Sequence, residues 1–175
     1  MSPRISTSLR ARICVSGLLL APALLGAQQN PPVAKGEVAP APAVLNAGAL
    51  AKLRWIVGTW RGTGTDVPAF YERYRLVDDS TLEVETFADS TLARVTETSR
   101  YELRGGRLAN IGTGPRWVAV RLDDSLAAFV PLERARNRFE WRRGTADAWT
   151  AVIAWPTAQG PRERVYRLTR MPPRP

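Results

Sequence analysis

From Ile56 onward the chain alternates. Phe70, Tyr74 and Leu76 are interleaved with Tyr71, Arg73 and Arg75, and Leu82, Val84 and Thr86 with Glu83 and Glu85. A period of two sends successive side chains to opposite faces of an extended strand, so each segment reads as a half-buried β-strand. The pattern returns over residues 94–104, 107–112, 117–122, 126–132, 138–142, 149–155 and 164–170. Between them stand short polar turns such as Asp78-Asp79-Ser80, Gly105-Gly106 and Asp123-Asp124. Turns this brief cannot carry a crossover helix, so neighbouring strands pair antiparallel. The expected fold is all-β, a single antiparallel up-and-down meander barrel of about eight to ten strands, closed because closure removes exposed edges.

One amphipathic stretch precedes the strands. Asn46 is placed to cap a short helix over residues 47–54, with Leu50 and Leu53 on one side and Lys52 and Arg54 on the other, and this helix is expected to cap one end of the barrel. Ahead of it, residues 28–45 are rich in Pro and Ala and too poor in bulky apolar side chains to fold, which predicts a disordered tether. Residues 1–27 read as a signal peptide: Arg4, Arg10 and Arg12 without an acid, an apolar run, then Gly26-Ala27 as a cleavage site. The expectation is an exported protein, periplasmic or secreted, with the barrel at 46–171 and a tail at 172–175. The apolar run is shorter than the roughly 20 residues of a membrane span.

The chain's single cysteine, Cys14, falls in the leader, and there is no histidine. A mature domain without thiols must be stabilised by its core. Histidine-based triads and the usual zinc, haem and copper ligand sets are excluded, and no cofactor is expected. The formal charge of +9 includes the three leader arginines, so the mature chain carries +6. Its arginines are scattered among the strands rather than striped, which argues against nucleic acid and leaves room for peripheral contact with an anionic envelope. The glycines of Gly58-Thr59-Trp60-Arg61-Gly62-Thr63-Gly64 precede a strand, not a helix, so they form no dinucleotide fingerprint.

The helix before Gly58-Thr59-Trp60, the meander and the terminal Tyr166-x-Leu168-x-Arg170 together resemble the lipocalin-like (calycin) architecture. More narrowly, Trp55 and Gly58-Thr59-Trp60, followed by Glu72, Glu97 and Phe139-Glu140-Trp141, resemble a bacterial lipocalin-like domain family of unknown function over about residues 50–170. The resemblance implies a structural plug at Gly58, in which Trp60 packs under Arg170 or Arg167. Two departures bear on the site. That family continues after its Phe-Glu pair with Asn-Pro and a downstream Asp-Phe-Pro, where this chain has Trp141-Arg142-Arg143-Gly144. The axial histidine of small haem-binding barrels has no counterpart.

Glu72 shares a strand face with Phe70, Tyr74 and Leu76, and Glu97 shares one with Val95, Tyr101 and Leu103, so both carboxylates are expected to face the lumen. Such a group is costly there unless it is paired, hydrogen-bonded or protonated. The expected function is binding of a small apolar or amphipathic molecule by Glu72, Tyr74, Glu97, Tyr101, Trp117, Phe139 and Trp141, without catalysis. Three alternatives stand beside it. Glu72 and Glu97 could serve a lumenal acid–base enzyme, a hydrolase or isomerase; each could be tied to an inward arginine such as Arg121; or the core could be filled in a module that mediates envelope contacts.

Overall fold

The computed structural model describes residues 40–172. The expected leader, the tether up to residue 39 and residues 173–175 lie outside the described residues. Ten strands succeed one another: β1 (Gly58–Gly64), β2 (Val67–Asp78), β3 (Thr81–Phe87), β4 (Val95–Arg104), β5 (Arg107–Ile111), β6 (Arg116–Leu122), β7 (Leu126–Glu133), β8 (Arg138–Arg143), β9 (Ala148–Trp155) and β10 (Arg162–Arg170). Each pairs antiparallel with the next, and β10 returns to β1 to close the barrel. The expected meander is the observed fold.

The capping element is a 3-10 helix, Ala49–Ile56, rather than the α-helix expected at 47–54. Gly48 precedes it in the left-handed region and no side chain caps it, so Asn46 contributes only its carbonyl, to the Ala49 amide. Three-residue spacing suits this segment because it puts Leu50, Leu53 and Ile56 on one side, all buried. The segment just before it is held on the barrel: the Ala43 amide donates to the Ala119 carbonyl and that of Leu45 to Gly106. These bonds fall beside β5 and β6, which share the single register pair Ala109–Val118.

The core lies inside the barrel, where inward positions of nearly every strand supply large side chains: Trp60, Tyr74, Tyr101, Phe129, Phe139, Trp141, Trp149 and Tyr166 are all buried. Room for rings of this size comes in part from missing side chains on β1. A Cβ built on Gly62 would sit 2.1 Å from the Phe70 ring, inside any real contact. Gly62→Ala should therefore push Phe70 out of place and destabilise the domain by about 1–3 kcal/mol, the usual cost of overpacking, as read from the urea midpoint.

The outer wall is laced by ion pairs. Glu83 binds Arg75 at 2.5 Å and Arg100 at 2.8 Å, and Glu85 binds Arg73 at 2.8 Å. Phe87, on this same outer face, is nevertheless buried, with the Arg73 guanidinium 4.9 Å from its ring centre.

Candidate functional site

Register brings the two lumenal glutamates into one row. Glu72 on β2 pairs with Thr86 on β3, and Thr86 pairs with Glu97 on β4. Their backbones are thus two strand steps apart, roughly 10 Å at about 4.8 Å per step, with both side chains rising on the lumenal face. Glu72 is buried, and Glu97, nearer the end of the barrel opposite the 3-10 helix, is half-buried.

Glu72 accepts a hydrogen bond at Oε2 from the Tyr74 hydroxyl, at 2.8 Å. No cation pairs with it among the described residues. Burial raises its pKa from an ordinary 4.5 to about 7; the Tyr74 hydrogen bond opposes this and the charge of Glu97 adds to it. Arg121, the inward arginine considered from sequence, is an outward residue instead. A bulge between Ala119 and Arg121 turns it to the exterior, where it binds Asp123 at 2.7 Å.

Tyr74, Tyr101, Trp117, Phe139 and Trp141 are all buried and belong to one connected set of rings. Trp141 lies at its centre, with ring centres 5.8 Å from Tyr74, 5.3 Å from Tyr101, 5.6 Å from Phe139 and 6.2 Å from Trp149. Phe129 stacks on Phe139 at 4.6 Å, and Trp117 closes the far side against Phe139 at 5.7 Å. Trp149 touches Trp60 and Trp55 in edge-to-face contacts, so rings run continuously from the capped end to mid-height.

At the capped end the Trp60 indole donates to the Ile56 carbonyl at 2.7 Å, and the Arg170 guanidinium lies 4.1 Å over the Trp60 ring while donating to Val57. Gly58 leaves the space, since a Cβ there would meet Arg170 Nη1 at 2.3 Å. Of the arginines offered for the plug, Arg170 is the one that takes the place over Trp60.

Sequence reasoning passed over three features. The Tyr166 hydroxyl is buried without a hydrogen-bond partner among the described residues, as is the Trp141 indole N–H. Tyr166 stands on β10 with its ring edge against Phe70 at 5.6 Å; its alternation with Leu168 marks it as inward, but nothing local to the sequence shows that its hydroxyl finds no acceptor. Thr86 was likewise visible only as a strand residue, not as the position between two carboxylates.

No family model matches the chain, and no curated protein does. Among solved structures a redesigned β-barrel is similar, at 12% identity and a TM-score of 0.33, covering 74% of this chain and 99% of that one.

Proposed function

We propose that this protein is an exported barrel that binds a small amphipathic molecule, with its polar head at Glu72 and Glu97 and its apolar part against the aromatic lumen. The observation that carries the reading is Glu72 itself. A fully buried carboxyl with no cationic partner among the described residues is costly in a core that could hold leucine there, and its cost is relieved when a ligand supplies donors. In this reading the head reaches no further than mid-height, because rings fill the lumen below it, and entry is past half-buried Glu97. Two carboxyls suit a head that donates hydrogen bonds, above all an amine, and the surrounding ring faces suit its charge.

Export is read from the arginine-rich, apolar leader and is tested by the N-terminal sequence of the mature chain, expected to begin near Gln28. Binding is tested with octylamine and octanoate, monitored by tryptophan fluorescence. Octylamine should give a saturable change that Glu72→Gln weakens about tenfold, the worth of one charge-assisted hydrogen bond, while octanoate gives none. An octylamine response identical in the variant rules the site out.

A further inference from the structure

On the outer wall near the plug, β1, β2, the connection at 88–94 and the end of β10 border a half-open pocket of about 490 Å³. Gly58, Thr59, Arg73, Thr91, Leu92 and Arg170 form its walls, with the chain after β10 beside them. We propose that this pocket binds a small organic anion, a carboxylate or phosphate group carrying a short apolar portion.

The chemistry of the walls makes the case. Arg73 and Arg170 both line one space and no aspartate or glutamate does, the carboxylates of Glu85 and Asp147 meeting the two guanidinium groups from outside it, at 2.8 Å and 3.6 Å. Each is fixed before any ligand arrives. Arg170 is held over Trp60 at 4.1 Å by bonds to the Val57 and Ala146 carbonyls, and Arg73 is held beside Phe87 at 4.9 Å by its Nε bond to Glu85. A guanidinium has five N–H donors, and the bonds that orient these two use only some of them. Stacked, pre-oriented arginines lose little freedom on binding and match the paired oxygens of a carboxylate or phosphate.

The remaining walls are ordered too. Asp89 accepts from both the amide and the hydroxyl of Thr91, which fixes the turn that brings Thr91 and Leu92 to the pocket. The Met171 amide donates to the Thr59 carbonyl and pins the chain beyond β10 along the opposite side. Leu92 and Met171 supply apolar surface next to the charges, which is why a purely inorganic anion fills only part of the space. Glu72 forms no part of these walls, so this site stands apart from the lumenal reading and survives its failure.

The test is an amide NMR titration of the full mature chain at constant ionic strength, with inorganic phosphate in one arm and butyrate in the other. Saturable shifts confined to Thr59, Thr91, Leu92 and Met171 support the site, and the arm with the tighter binding identifies the head group. Arg73→Gln should weaken that binding about tenfold, and so should Leu92→Glu, which places a carboxylate in the pocket and leaves Arg73 untouched. Arg107→Gln, an exposed arginine on β5, should leave it unchanged. Shifts spread over all surface arginines, no shift with either probe, or equal affinity in Leu92→Glu and the native chain would overturn the proposal.

Discussion

Replacing Trp141 with alanine should cost about 3–5 kcal/mol, the largest loss expected from any single side chain here. The ring is buried and touches Tyr74, Tyr101, Phe129, Phe139 and Trp149. Its removal therefore opens a cavity bounded by rigid rings attached to five different strands, and a closed barrel has little freedom to collapse around it. Domains of this size have about 5–15 kcal/mol in all, so the variant should sit close to its unfolding threshold at room temperature. Phenylalanine makes the comparison informative. The Trp141 N–H has no acceptor among the described residues, so Trp141→Phe loses ring volume but no hydrogen bond. At Trp117 the N–H donates to the Asn137 carbonyl at 2.7 Å, and Trp117→Phe should cost about 1–3 kcal/mol more than Trp141→Phe by stranding that acceptor. Urea unfolding of the three variants checks both statements, and equal losses in the two phenylalanine variants would refute the second.

Most of the barrel was legible because period two is a direct record of which side of a strand meets solvent. The expected segments at 94–104, 107–112 and 126–132 each differ from β4, β5 and β7 by one residue at one end. Other features escaped because period two cannot register them. A bulge adds a residue to one strand and reverses the facing of the residues beyond it, which is how Arg121 leaves the lumen. A covered outer face looks the same in sequence as an exposed one, which is how Phe87 comes to be buried beside the Arg73 guanidinium. The site divides along the same line. Facing placed Glu72, Tyr74, Tyr101 and Trp141 inside, but their contacts depend on which strands lie opposite each other across a closed lumen, and that is set by register and closure together. The bond between Tyr74 and Glu72 was within reach, since the two are neighbours on one face. That the Tyr166 hydroxyl finds no partner among the described residues was not, because an absent partner leaves no trace in a pattern of residue types.

Glu72 should also make the domain less stable as pH rises, the reverse of what most carboxylates do. Its pKa is about 7 in the folded chain and near 4.5 in the unfolded one. Between those values the unfolded chain has released its proton while the folded one keeps it, so unfolding is increasingly favoured as protons become scarce. Below about pH 4.5 the cost is absent; it grows through neutrality and is complete above pH 7, where the difference amounts to about 3 kcal/mol at roughly 1.4 kcal/mol per pKa unit. Glu83, which Arg100 and Arg75 hold below its ordinary range, and Asp123, held low chiefly by the Ser125 hydroxyl, act in the opposite sense, and their stabilisation is lost on the acid side. The two windows meet near pH 4.5–5, where stability should be greatest. Glu72→Gln keeps the shape and an acceptor for the Tyr74 hydroxyl but carries no charge at any pH. It should match the native chain at pH 4.5 and exceed it by about 3 kcal/mol at pH 8, and Glu97→Gln should move the native midpoint downward by removing the neighbouring charge. Urea unfolding from pH 4.5 to 8 reads all three curves, and a native curve that stays parallel to that of Glu72→Gln would show that the buried carboxyl is already ionised at low pH by a partner within the barrel.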